Sequence, residues 1–173
     1  ADFLPNDSIG MLCFSTKIKG HGIDPLSKAT GFEGEFNLSH LEYKNLNIDN
    51  TRLTAILKQG LATIDFTCDN DLLIANACVG ADITRTDSKA DFSLSLNKIN
   101  FHALGLAKDS IMASMVLNAD GHTDMKQTHR LVGGIHSMEI STPDTTYYPL
   151  DLDIKVEMNE NSILAKTSAG DLN

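Results

Sequence analysis

Six histidines are the residues most open to a chemical reading, and His122, His129 and His136 recur at intervals of seven. On a strand an odd interval throws successive side chains to opposite faces, so the spacing opposes a shared metal. Neither an HExxH nor a Cys-x-x-Cys frame supplies the usual zinc geometry. Asp69 and Asp71 begin like a calcium loop, but no glycine at the sixth position or glutamate at the twelfth follows, so both read as turn residues. Neither Gly-x-Ser-x-Gly nor an ordered Ser, His and Asp set is signposted, and no glycine-rich phosphate loop opens a helix. The expectation is a protein that is not an enzyme and uses no metal and no cofactor.

Cys13, Cys68 and Cys78 cannot all pair within one chain, and each sits at or beside an alternating apolar run. They read as small hydrophobes, free and mostly buried. A hairpin about Asp69 to Asp71 would set Cys68 opposite roughly Leu72 and leave Cys78 far along the ladder, so no disulfide is expected. Fourteen basic against 23 acidic residues give a net charge of -9, which repels a nucleic-acid backbone or an anionic membrane surface. No apolar run approaches the ~18 residues of a membrane-spanning helix, and Ala1 opens without a basic-then-apolar signal segment, so the chain as written reads as soluble. At 173 residues it is long enough to bury well over half of its unfolded surface.

The elements that must position these side chains are strands. Ile9, Met11 and Cys13 share one phase and Leu12, Phe14 and Ile18 the other, before a turn-rich stretch to Thr30. From Phe32 to Tyr43 the apolar phase slips at Ser39-His40, which predicts a bulge or bend. Leu53, Ala55 and Leu57, then Ile64, Phe66 and Cys68, then Ala75 to Ile83 alternate between turns at Gln59-Gly60, Asp69-Asn70-Asp71 and Arg85-Thr86-Asp87-Ser88. Ile111 to Leu117 leads to a predicted turn at Ala119-Asp120-Gly121, and Leu131 to Ile140 and Leu150 to Met158 follow, the latter ending at Asn159-Glu160-Asn161. Nowhere does an apolar period of 3.6 persist over three turns. About nine to eleven antiparallel strands with little helix are expected.

The pattern also repeats. Subtracting 58 places Leu94 and Leu96 on Phe36 and Leu38, Ile99 and Phe101 on Leu41 and Tyr43, Leu104 and Leu106 on Leu46 and Ile48, and Ile111, Ala113 and Met115 on Leu53, Ala55 and Leu57. A looser third copy runs through Met138 and Ile140 to Leu152, Ile154, Val156 and Met158, its offset moving from 39 to 41. Approximate modules are 1-31, 32-88, 89-130 and 131-173 of one β-rich segment.

The wording of Asp7-Ser8-Ile9-Gly10-Met11-Leu12, Lys17-Ile18-Lys19-Gly20, Tyr43 to Leu46 and Leu53-Thr54-Ala55-Ile56-Leu57 resembles the TamB group of the AsmA-like superfamily. The same holds for Asp124-Met125-Lys126-Gln127 to His129 and for Gly133-Gly134-Ile135. The resemblance implies a periplasmic segment of a longer, inner-membrane-anchored envelope protein of a diderm bacterium, a translocation and assembly module. It implies a long curled sheet, or β-taco, whose apolar groove carries phospholipid or other acyl-chain lipid and supports outer-membrane biogenesis with an Omp85-type barrel bound through the full-length protein. The membrane helix and a recognisable partner-binding end of the family are not seen in this sequence.

The expected groove lining is Leu53, Ala55, Leu57, Ile64, Phe66, Ile111, Ala113, Met115, Leu152, Ile154 and Val156. A lipocalin-like barrel around a small apolar ligand, or a β-sandwich acting as a binding module, remains as the alternative. Bare sheet edges lead to an expectation of edge-to-edge self-association.

Overall fold

Strict alternation of side chains makes every segment of this chain one-sided, and one-sided strands join into a sheet. The computed structural model describes residues 9–43, 46–83, 87–124, 126–160 and 162–170. They form one 11-stranded antiparallel sheet and, among the described residues, no helix. The strands are β1 (Ile9–His21), β2 (Gly31–Tyr43), β3 (Leu46–Lys58), β4 (Leu61–Asp69), β5 (Leu73–Ile83), β6 (Ser88–Asn100), β7 (Met112–Thr123), β8 (His129–Ser141), β9 (Thr146–Tyr147), β10 (Leu152–Asn159) and β11 (Ser162–Ala169). From β1 to β8 each strand lies beside its predecessor. β10 then lies on β8, β11 on β10, and the short β9 pairs with the part of β8 that β10 leaves open. The predicted strand opening at Asp7-Ser8, the turn residues Arg85 and Thr86, and the chain end at Asn173 lie outside the described residues.

Besides an extra residue of β1 between Ile9 and Leu12, three bulges break the ladder, all toward the same end of the sheet. Ser39 is an extra residue of β2 against the Cys13-Phe14 step of β1, where the phase slip in the sequence predicts it. Asn97 is the equivalent extra residue of β6 against Ile74-Ala75 of β5, 58 positions further on, so the repeat carries its own defect. The third involves Ser137 of β8, at φ 52, between the register steps Ser114↔Glu139 and Val116↔His136. Each bulge moves the apolar residues beyond it back to the face they would otherwise leave.

Turn chemistry sets the other end. Gln59 and Gly60, at φ 56 and φ 86, form the two-residue reversal between β3 and β4, a backbone that glycine adopts without strain. Asp124 closes the β7–β8 turn by accepting the N–H groups of Lys126, Gln127 and Thr128, each at 2.9 Å. The turn predicted at Ala119-Asp120-Gly121 does not exist: β7 runs through it to Thr123, because Asp120 fits the polar phase of the strand.

Strong curl is absent as well. Elements touch only their ladder neighbours, β1 and β11 do not meet, and the sheet is neither closed nor strongly curled. The closed barrel and the two-sheet sandwich are excluded by the same fact. The physical reason lies in the bulges: they cluster near one end, and the central rows cross ten strands without a register shift, so nothing bends the sheet at its middle. The chain accordingly exposes 12007 Å². A compact protein of 18.8 kDa exposes about 8,300 Å².

Among the described residues the buried hydrophobic side chains gather at the β4–β5 turn, where Cys68, Leu72 and Ala75 are buried. Asn70 organises it. Its Oδ1 accepts the N–H groups of Leu72 and Leu73, and its Nδ2 donates to the carbonyl of Asp49, 2.9 Å away beside the Asn50 kink of β3. Replacing Asn70 with Ala removes these three bonds and the donation from Nδ2 to Cys68 Sγ at 3.1 Å, so Asn70→Ala should lower the unfolding free energy by about 1–3 kcal/mol in a denaturant titration.

Acid dependence follows from Asp124. Backbone N–H groups, that of Thr128 first and then those of Lys126 and Gln127, lower its pKa from 3.8 to about 2. A group with a depressed folded pKa stabilises the fold above its unfolded value, and that contribution disappears as pH falls from 3.8 through about 2. Carboxyl NMR titration should find this midpoint, and Asp124→Asn should remove the corresponding part of the acid destabilisation.

Candidate functional site

Cross-strand partners in an antiparallel ladder share a face, so the face of each residue can be followed from strand to strand. From Thr16 on β1 one row runs through Phe36, Leu53, Phe66, Ala77, Leu94, Leu117, Ile135 and Leu152 to Ala169. The next row passes Ile18, Gly34, Ala55, Ile64, Val79, Phe92, Ala119, Gly133, Ile154 and Thr167. Beyond it Leu57 joins Phe32 and Ala62, and Leu131 joins Val156. On the bulged side Phe14, Leu38, Thr51, Cys68, Ala75, Leu96 and Met115 occupy the same face. Among these paired residues there is no Asp, Glu, Lys or Arg. His129, opposite Met158 and bonded to Thr123, places an imidazole on this face.

All the strand residues expected to line a groove stand on this uncharged face. Leu53, Phe66 and Leu152 share one row, Ala55, Ile64 and Ile154 the next, and Leu57 and Val156 a third. Ala113 and Met115 face the same way at the bulged end, opposite Ile99 and Leu96. Ile111 precedes β7 and accepts a bond from the Phe101 N–H. None of them is buried. Leu53 remains 39% exposed and Ile64 42% exposed although both lie in the middle of the sheet, because no second layer covers them.

The offset of 58 misplaces part of the second copy. By row, the counterparts of Leu53 and Ala55 on β7 are Leu117 and Ala119, while Ala113 and Met115 lie nearer the strand start. The reason is the connection: β2 and β3 are separated by positions 44–45, whereas β6 and β7 are separated by 101–111. Leu104 and Leu106 lie in that loop, and Leu106 is 71% exposed. Phe36, Val79, Phe92 and Leu94 belong to the face as much as the expected residues do, and strand phase alone marks them.

The opposite face is polar and laced with charge pairs. Lys19 meets Glu33 at 3.0 Å and Arg52 meets Glu35 at 3.1 Å. Glu33 and Glu35 are both lowered in pKa, the first mainly by the hydrogen bond from Lys19 and the second mainly by that from Asn37. His40 pairs with Asp49 at 2.5 Å, and that hydrogen bond, with a smaller contribution from Glu42, raises the imidazole above its ordinary value. Among the three histidines spaced by seven, His122 and His136 stand on this face and His129 on the other. A shallow concavity of about 500 Å³ on the sheet is lined by charged groups that include Lys89, Asp91, Asp120 and Arg130.

No family model, curated protein or solved structure matches the chain. The arrangement itself is an all-β antiparallel sheet of long strands with one apolar and one charged face.

All three cysteines are free, but they divide by face. Cys68 is buried on the apolar side opposite Ala75 rather than Leu72, because the turn includes Leu72 and Asn70 N–H bonds the Leu73 carbonyl. Cys78 lies on the polar face opposite Asp65, whose hydrogen bond, followed by burial, raises its thiol pKa. Cys13 is exposed, which corrects the expectation that the cysteines are mostly buried. Thiol titration in denaturant should count three, and one would reveal a disulfide. In the native protein Cys13 should react first and Cys68 last.

Proposed function

We propose that the uncharged face holds acyl chains, and that the chain is a non-enzymatic segment of a TamB-like, AsmA-like envelope protein that carries lipid across the periplasm. The observation that supports this most is the absence of any formal charge among the paired residues of one face of ten strands, left without cover. Ten strands at about 4.8 Å and four rows at about 6.7 Å make a face of roughly 1,300 Å². Soluble monomers ordinarily tolerate patches of about 300–600 Å². A lipid tail covers such a face at about 0.8 kcal/mol per buried CH₂ and needs no directional partner.

In this reading the polar face stays in water, and its charges keep the two sides distinct. The small side chains of Ala55 and Ala77 beside Phe36, Leu53 and Phe66 leave shallow relief along which a chain can lie, while the Phe32 ring covers Gly34. Outer-membrane biogenesis with an Omp85-type barrel belongs to the full-length protein, as does the inner-membrane anchor. The uncurled sheet supplies one wall of a lipid path.

A photo-reactive residue placed at Leu57 or Ala113 should label phospholipid acyl chains, and one at Thr54 or Thr63 should not. Thr54 pairs with Glu35 and Asp65, and Thr63 with Ile56 and Gly80, on the opposite face. Equal labelling from both faces, or none from either, contradicts the reading. Ala113→Asp should leave the unfolding midpoint nearly unchanged while acyl labelling falls. A loss of several kcal/mol would mean a dry packed face instead.

A further inference from the structure

The outer edge of β1 is a second interaction surface, independent of the apolar face. This strand is 13 residues long, against 8 for β11 at the other edge, and among the described residues it pairs on one side only, with β2. Every residue of it from Gly10 to His21 is exposed. It carries no proline, the φ angles that mark kinks elsewhere do not occur in it, and beyond its own extra residue between Ile9 and Leu12 it pairs residue for residue with β2 from Phe14 to His21. A long, regular, half-paired strand presents unmet backbone N–H and C=O groups to an incoming strand.

Its side chains specify which strand fits. On the polar face Lys17 and Lys19 stand side by side in phase, each with 79% of its side chain exposed. Their partners on β2 are Glu35 and Glu33, so each row presents a lysine at the rim with a glutamate behind it. Glu35 is already held by Arg52 at 3.1 Å and lies 4.0 Å from Lys17, so Lys17 has capacity left. The next strand in each row would therefore carry a carboxylate. On the apolar face Phe14, Thr16 and Ile18 form the rim, with Ile18 68% exposed, so the intervening residues of that strand would be apolar.

We propose that β1 receives an extended segment of another polypeptide in which acidic and apolar residues alternate, adding a strand to the sheet. A second copy of this chain fits poorly: paired through β1 about Ile18 it sets Lys17 against Lys19, and paired through β11 it brings Lys166. Opposite charges across a ladder favour pairing and like charges oppose it, so the lysines select the partner by sign.

The test uses a fluorescent, end-capped 12-residue peptide of alternating Glu and Val, with a Lys and Val peptide and a Glu and Val peptide bearing a central Pro as controls. Anisotropy should show saturable binding of the Glu peptide alone, with hydrogen exchange slowed in β1. The double variant Lys17→Glu with Lys19→Glu should weaken it on the order of tenfold and admit the Lys peptide. The neutral pair Lys17→Gln with Lys19→Gln, which spares Glu33 and Glu35 from repulsion, should give an intermediate loss, and circular dichroism checks that both variants fold. Failure of the Glu peptide to bind, equal binding to wild type and the charge-reversed variant, undiminished binding of the Pro peptide, or protection confined to β11 would each overturn the proposal. If the protein pairs with itself through β1 in preference to the peptide, the lysines do not select by sign and the proposal also fails.

Discussion

The structure depends on one constraint: side chains alternate with a period of two, and the ladder keeps that alternation in register across ten strands. A single slipped residue would turn a whole strand's apolar set toward the charged face. The bulges at Ser39, Asn97 and Ser137 occur where the sequence itself changes phase, and each restores the facing of the residues beyond it. Leu41 and Ile48 thus rejoin the face of Leu38, although simple counting would send them to the other side. His40 and Asp49 are carried to the polar face by the same step, where they pair.

Register without a second layer gives an unusual energetic balance. Backbone ladders and cross-strand contacts hold each strand to its neighbours, such as the tilted Phe14 and Phe36 rings at 5.6 Å, but nothing packs across the apolar face. Domains ordinarily gain most of their stability by closing such a face against another layer. Among the described residues the buried apolar side chains are those of Cys68, Leu72 and Ala75 around the Asn70 turn. The apolar surface that would form a core in a sandwich is instead a continuous platform. It is free of formal charge among the paired residues, and the charged groups lie on the face opposite.

Much of this was legible in the sequence because it is local. Alternation marked the strands, Gln59-Gly60 and Asn70 marked reversals, and the phase slip at Ser39-His40 marked a bulge whose copy at Asn97 follows from the repeat. The expected lining residues of β3, β4 and β10 fall into common rows because parity within a strand survives any choice of neighbour. What failed was long-range. A lengthened connection at 101–111 shifted β7 against β6, which replaced Ala113 by Ala119 as the partner of Ala55 in its row. Curl is set by where bulges lie relative to one another across the sheet, which no single strand states. Cys13 looked like a core residue because its flanks are apolar, yet it occupies the polar phase.

The central claim is that this open face is a binding surface for acyl chains. Mass spectrometry of organic extracts from protein purified without detergent tests it most directly. Stoichiometric acyl lipid is predicted, with depletion when Ile64, on the middle row, is changed to Asp. Lipid-free wild-type protein, or equal lipid on protein carrying Ile64→Asp, would contradict the account.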